Sequence, residues 1–180
     1  MPHIEITNGL PGISGLLAQY PGTGAVLSQL AETLLRGDES PISRGERELI
    51  AAYVSELNRT RFCSDSHSAF AAAQLEGGEE LVKAVLADAA EAPVTPLLKA
   101  LLRIAAEVRA QARPVSEEAI ANARAEGATD VHIHDTVLIA AAFCMFNRYV
   151  EGLATELPSD PGYYGSSAER IVEHGYGAAR

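Results

Sequence analysis

The chain has 180 residues and a formal net charge of −10, and 47% of its residues are hydrophobic. The length suits one domain, and the acidic balance argues against nucleic acids and anionic membranes as partners, since both bind basic patches. Two cysteines cannot build a disulfide framework, the N-terminus lacks signal-peptide features, and no apolar run reaches about 18 residues. These features predict a soluble cytoplasmic protein.

Composition divides the chain into three predicted segments. Residues 1–23 are rich in Gly and Pro and are expected to form an N-terminal arm, with at most a short helical turn, over the core or over a neighbouring subunit. Residues 24–157 carry helical periodicity and are expected to form the domain. Residues 158–180 are predicted to be a C-terminal tail with one amphipathic fragment.

Capping residues mark the predicted helix starts within the domain. Ser43 and Glu46 have the spacing of a capping box, and Thr95 precedes Pro96 as an N-cap precedes a proline at the first helical position. The other predicted N-caps are Thr60, Ser116 and Thr129. No convincing strand pattern is present, so the predicted class is all-α, with about seven or eight helices joined by short loops.

The last long helix is predicted to begin at Thr129 and to bury one apolar face. Helical spacing places Val131, His134, Leu138 and Met145 near that face. His134 is therefore expected to enter the core, near the reactive thiol described next or beside a buried polar partner.

Cys63 and His67 lie four residues apart at the start of a predicted helix. Positions i and i+4 share a helix face, so the thiol and the imidazole can touch. The helix dipole and an imidazole beside it can both favour the thiolate, which predicts a nucleophilic or redox thiol. The alternative is a buried cysteine beside an ordinary histidine, and the pair alone favours that interpretation.

Glu48 is a candidate third member of this group. It lies near the start of the preceding helix, and two antiparallel helices joined around Asn58 would bring it towards His67. A carboxylate there would orient the imidazole while its other nitrogen faces the thiol. A solvated first-turn acid is the alternative, and spacing alone favours it.

A second polar cluster contains His132, His134 and Asp135. On a helix the two rings point roughly 200° apart, so they do not easily share one metal ion, and no metal or cofactor is predicted. Cys144 lies among apolar residues of the same helix and is expected to pack in the core. It could pair with Cys63 only if their Cα atoms came within about 7 Å of each other.

Three stretches of the chain resemble the alkylhydroperoxidase D-like, carboxymuconolactone decarboxylase superfamily, and within it the peroxidase-related branch. They are residues 46–58, the stretch 60–67 that matches the family pattern Cys-x-x-Cys-x-x-x-His, and residues 133–148. The resemblance covers residues 25–157. It implies an all-helical fold, homo-oligomers, and a proton relay completed by a glutamate twelve positions before the first motif cysteine, which here is Glu48.

The chain departs from the redox members at that first cysteine, where it has Thr60. A dithiol cycle needs a second thiol to resolve the sulfenic acid. The resemblance therefore implies a peroxidase-like antioxidant protein that reduces hydroperoxides through Cys63 alone, activated by His67 and Glu48 and regenerated by an external thiol. Thr60 and His134 are possible accessory residues.

Two other functions stay open at this point. One is a non-redox decarboxylase or isomerase that acts on a small carboxylic acid by acid–base chemistry. The other is a non-catalytic oligomeric binder whose site has decayed. Wide apolar helix faces, the arm and the tyrosines of the tail favour a homo-oligomer, unless both chain ends are simply disordered. Those tyrosines are Tyr163, Tyr164 and Tyr176.

Overall fold

The computed structural model describes residues 1–177, and these form nine helices and no strand. The helices are α1 (Gly12–Gln19), α2 (Pro21–Arg36), α3 (Arg44–Leu57), α4 (Arg61–Ala72), α5 (Gly78–Ala87), α6 (Pro96–Ala110), α7 (Glu117–Ala125), α8 (Asp130–Gly152) and α9 (Tyr163–His174). The all-α class is confirmed, and the number of helices in the described part is slightly above the expected seven or eight.

The predicted caps begin four of these helices. Ser43 and Glu46 form the capping box of α3, with both reciprocal hydrogen bonds present. Thr95 accepts from the backbone of Leu98 at the start of α6, and Ser116 caps α7. Thr129 forms a capping box with the His132 side chain at the start of α8. Local hydrogen bonding of the backbone amides therefore sets these helix starts.

The core lies where α3, α6 and α8 pack together. Each contributes large, fully buried apolar side chains, including Leu49, Ile50, Leu101, Ile104, Ile139 and Phe143. Helix α4 packs antiparallel to α3 after the turn at residues 58–60, where Arg59 adopts a left-handed backbone with φ of 59°. This helical hairpin brings the second turn of α4 beside the first turn of α3.

Both terminal segments fold onto the domain of the same chain. The arm contains the two-turn helix α1, and α2 begins at Pro21 rather than at Gly24. Backbone amides of His3 and Gly12 donate to carbonyl oxygens just after α8, which fastens the arm there. The tail contains α9, which packs on α4. The last three residues of the predicted tail, 178–180, lie outside the described part of the chain.

Helix α8 buries a different face from the one predicted. Its buried side chains include Thr136, Ile139, Ala140, Phe143, Phe146, Asn147 and Val150. Val131, Leu138 and Met145 are instead between 39% and 46% exposed. Apolar residues occupy both sides of this helix, so periodicity alone did not select the core face.

Across residues 1–177, no helix is both long enough and apolar enough to cross a membrane.

Candidate active site

The hairpin of α3 and α4 joins Glu48 to His67. Nδ1 of His67 lies 2.6 Å from Oε2 of Glu48, and both side chains are buried, with Glu48 only 1% exposed. An ionised carboxylate can only accept hydrogen bonds, so Nδ1 carries the proton in this contact. In the neutral imidazole Nε2 is then the basic nitrogen. The predicted contact between Glu48 and His67 is present in the structure.

Tyr176, in the C-terminal tail, completes the hydrogen bonding of Glu48. Its hydroxyl donates to Oε1 of Glu48 at 2.7 Å, and its ring stacks over the ring of His67 at a centroid distance of 6.3 Å. Burial, followed by the nearby carboxylate of Glu48, raises the pKa of Tyr176 well above its ordinary value. The phenol therefore remains protonated and acts as a donor.

Side chains of α2 hold the tail in the position that allows this contact. Arg36 Nη1 donates to the carbonyl oxygens of Ile171 and Val172 at the end of α9, at 2.8 and 3.1 Å. Glu32 accepts from the backbone N–H of Tyr176 at 2.7 Å. Gly175 has φ of +78°, and a Cβ atom there would lie 2.4 Å from Glu32. This turn therefore requires glycine.

Cys63 is buried one turn before His67 on α4, and no hydrogen bond joins the two side chains within residues 1–177. Burial raises the pKa of the Cys63 thiol to about 12, although a hydrogen bond from Asn147 acts in the opposite direction. The dipole and imidazole effects expected from the sequence therefore do not produce a resting thiolate.

A polar network surrounds Asn147 behind the thiol. Its Oδ1 accepts from Asn58 at 2.8 Å, and its Nδ2 donates to Ser55 at 3.0 Å. Asn58 in turn accepts from Arg109 and lies 3.8 Å from the sulfur of Cys144. These bonds keep the Asn147 amide fixed beside Cys63, and Cys63 and Cys144 are both free thiols.

Thr60 is buried at the N-cap position of α4, but its side chain does not cap the helix. Its Oγ1 has no hydrogen-bond partner in the described part of the chain. The start of α4 therefore contains a buried hydroxyl without a partner in the described part of the chain.

A cavity of about 70 Å³ opens beside this group. Cys63 and His67 both line it, together with Tyr176, Arg170 and several serine side chains. The rest of the lining is mainly apolar and includes Ile13, Leu17, Leu27, Phe62, Phe70, Phe143 and Phe146. Glu48 occupies Nδ1 of His67, so Nε2 is the ring nitrogen of this cavity-lining residue that does not contact Glu48.

The structure does not bring the remaining candidates to the cavity. His134 has 69% of its side chain exposed and pairs with Asp135, so it does not enter the core as expected. His132 caps α8. No group of three or more His, Cys, Asp and Glu side chains in the described ranges is placed to hold a metal ion.

Sequence reasoning missed three residues of the site. Asn147 and Arg170 were not candidates, and Tyr176 was assigned only to oligomer contacts. Two local signals existed: Arg170 lies within the amphipathic fragment of the tail, and Asn147 lies within the stretch 133–148 that carries the family resemblance. Contacts across 100 or more residues, such as the one between Tyr176 and His67, leave no spacing pattern in a single sequence.

The central part of the chain matches a known family model. Residues 21–107 match the model of the carboxymuconolactone decarboxylase family. This range includes α2 to α5 and most of α6, and with them Glu48, Cys63 and His67. No curated protein matches the chain.

Two solved structures share the architecture. One is an uncharacterized peroxidase-related protein from Silicibacter sp. TM1040, with a TM-score of 0.76 and 25% identity over 88% of this chain and 80% of that one. The other is an uncharacterized peroxidase-related protein from Ralstonia eutropha JMP134, described as an alkylhydroperoxidase AhpD core. Its TM-score is 0.77, with 22% identity over 90% of this chain and 83% of that one. The second likeness shows the fold alone.

Proposed function

Because residues 21–107 match the model of the carboxymuconolactone decarboxylase family, we propose that the protein reduces hydroperoxides through the single thiol of Cys63. His67 is the general base, and Glu48 is a positioning residue for its imidazole. The observation that carries this proposal is the 2.6 Å contact between Glu48 and His67 beside the cavity that Cys63 also lines. The peroxidase-related names of the two structural relatives support the same reaction class.

The raised thiol pKa determines how the reaction must begin. With a pKa of about 12, Cys63 is neutral at physiological pH, and so the sulfur must lose its proton as the peroxide is attacked. His67 Nε2 accepts that proton because Glu48 holds the proton on Nδ1. Asn147 stabilises the developing thiolate by its hydrogen bond to the sulfur.

The chemical step transfers one oxygen atom to the sulfur. The sulfur of Cys63 attacks the terminal oxygen of the hydroperoxide, the O–O bond breaks, and the thiol becomes a sulfenic acid. The proton held by His67 passes to the leaving alkoxide, which departs as an alcohol. Two molecules of an external thiol then reduce the sulfenic acid, forming one disulfide and one water and restoring the Cys63 thiol.

Rapid-mixing kinetics test this function. Wild-type protein is mixed with excess tert-butyl hydroperoxide, and Cys63 sulfenic acid is trapped with dimedone and quantified by mass spectrometry. We expect one dimedone adduct per chain, its loss in Cys63→Ser, and its retention in Cys144→Ser. If Cys63→Ser consumes hydroperoxide as fast as the wild-type protein, the proposal is wrong.

A second candidate is acid–base catalysis on a small carboxylic acid without thiol chemistry. The neutral Cys63 thiol and the threonine at position 60 favour it, because His67 and Glu48 form a base without needing either residue. The decarboxylase named by the family model would belong to this class. Activity that survives thiol alkylation but is lost in His67→Ala would select this candidate over hydroperoxide reduction.

A further inference from the structure

Arg170 of α9 borders the cavity with an unsatisfied hydrogen-bond donor. Its Nη1 atom is buried, and it has no hydrogen-bond partner in the part of the chain that the structure describes. Arg36 of α2, by contrast, uses its own Nη1 on two carbonyl oxygens of α9. Arg170 is thus a cation at the edge of the cavity with donor capacity left over.

The unsatisfied donor of Arg170 lowers the stability of the folded protein, and a ligand that accepts a hydrogen bond from it would remove this loss. A buried N–H group that lacks a partner destabilises the folded state, because it has lost its hydrogen bonds to water. Unsatisfied buried polar groups are rare in folded proteins and call for a specific explanation. A carboxylate is the natural partner, because its two oxygens match the fork of the guanidinium group.

The rest of the cavity determines what kind of carboxylate fits. Leu17, Leu27, Phe62 and Phe146 give it mainly apolar walls, and the cavity is small. A hydrocarbon body of modest size suits these walls. Glu48 would repel an anion, but both of its oxygens already accept hydrogen bonds, and it does not line the cavity.

We propose that Arg170 binds the carboxylate of a small, otherwise apolar acid whose other end reaches Cys63 and His67. Taken with the proposed function, on which this assignment of substrate class rests, the substrate is a hydroperoxide that carries a carboxylate group. Arg170 belongs to α9, outside the residues that match the family model, so this specificity comes from the C-terminal part of the chain.

Direct binding tests the subsite without any reaction. Isothermal titration of wild-type protein with benzoate and with the neutral analogue benzyl alcohol should show benzoate binding at least about tenfold more tightly, the value expected for one charge-assisted hydrogen bond. This preference should disappear in Arg170→Met and persist in part in Arg170→Lys. The exposed Arg113→Met change is the matched control and should leave it intact.

Equal affinity of the two probes for wild-type protein would overturn the subsite, and this result needs no variant that folds. A preference for benzoate that survives unchanged in Arg170→Met would overturn it as well. Loss of the preference in Arg113→Met to the same extent as in Arg170→Met would show a general charge effect and would also count against the subsite.

A matched pair of hydroperoxides separates this proposal from the proposed function. Cumene hydroperoxide is compared with its 4-carboxy derivative, and kcat/KM should be about tenfold higher for the carboxylate, with the difference abolished in Arg170→Met. Equal kcat/KM for both would overturn the subsite and leave hydroperoxide reduction standing. Selective benzoate binding with no turnover of either hydroperoxide would support the subsite and reject hydroperoxide reduction.

Discussion

The hydroxyl of Tyr176 donates a 2.7 Å hydrogen bond to Oε1 of Glu48, although the two residues lie 128 positions apart. The contact gives the buried carboxylate a second donor, since His67 already occupies its other oxygen. A buried carboxylate with both oxygens satisfied keeps its charge at low cost and holds the imidazole in one orientation. The C-terminal tail is therefore part of the site.

Tyr176→Phe removes this second donor and keeps the aromatic ring. We expect the free energy of unfolding to fall by about 1.5–3 kcal/mol, because the lost bond involves a charged and buried acceptor. Urea denaturation measures the change. Tyr163→Phe is the matched control, since its hydroxyl donates to the neutral Ser14 at 3.0 Å and should matter less. If the free energy of unfolding fell equally in both variants, Glu48 would not be a charged acceptor for Tyr176.

Glu48→Gln replaces the acceptor of the His67 proton with an amide of the same shape. The imidazole then loses its fixed tautomer, and we expect the rate of Cys63 oxidation by peroxide to fall by about 10²- to 10⁴-fold. Stopped-flow kinetics at pH 7 measure the rate, and circular dichroism confirms the fold. Glu46→Gln, two positions earlier in the exposed capping box, should leave the rate unchanged.

The raised pKa of Cys63 predicts how the reactivity of the thiol depends on pH. In Cys144→Ser protein, the rate of Cys63 modification by methyl methanethiosulfonate should rise about tenfold per pH unit from 7 to 10, as expected for a thiol that titrates well above this range. No plateau should occur near the ordinary value of 9, because the folded thiol titrates at about 12. A plateau below pH 9 would show a preformed thiolate.

The raised pKa of Cys63 also predicts that the folded protein loses stability at alkaline pH. Between pH 9 and about 12 the unfolded thiol has lost its proton while the folded thiol retains it. The unfolded state then binds fewer protons, so the free energy of unfolding decreases as the pH rises through this window. Urea midpoints of wild-type and Cys63→Ser protein should diverge above pH 9, with the steeper decline in the wild type.

Thr60→Val removes a buried hydroxyl that has no hydrogen-bond partner within residues 1–177. We expect a gain of about 1 kcal/mol in the free energy of unfolding, because the replacement has the same shape and no unsatisfied polar atom. Thr95→Val is the contrasting control. It removes a side-chain cap of α6 and should cost about 1 kcal/mol. Destabilisation by Thr60→Val would show that its hydroxyl has a partner in solution.

Gly175→Ala tests whether the tail turn positions Tyr176. The new Cβ atom would meet Glu32 at 2.4 Å, in a backbone conformation that L-residues rarely adopt. We expect the turn to shift, with a loss of about 1 kcal/mol or more in stability and a slower oxidation of Cys63. Gly177→Ala has open space around its Cβ position and should change neither quantity.

Several features of this protein follow from short stretches of sequence. The caps at Ser43, Thr95, Ser116 and Thr129 involve residues three positions apart, so their chemistry is readable locally. Spacing brought Cys63 and His67 to one helix, and the family resemblance pointed to Glu48. The all-α class followed from helical periodicity, which was correct for the described part of the chain.

Other features were decided only when the helices packed together. The core face of α8 depends on which of its two apolar sides meets α3 and α6, and spacing along a single helix does not contain that choice. The neutral state of Cys63 depends on desolvation by neighbours distant in sequence, which outweighs the local helix and imidazole effects. Tyr176 and Arg170 reach the cavity because α2 and α4 hold the C-terminal segment in place. Local hydrogen bonding and periodicity thus determined the helices and identified Cys63 as a candidate nucleophile. Burial and long-range contacts determined the protonation state of Cys63. They also brought Tyr176 to Glu48 as a second donor and placed Arg170 beside the cavity.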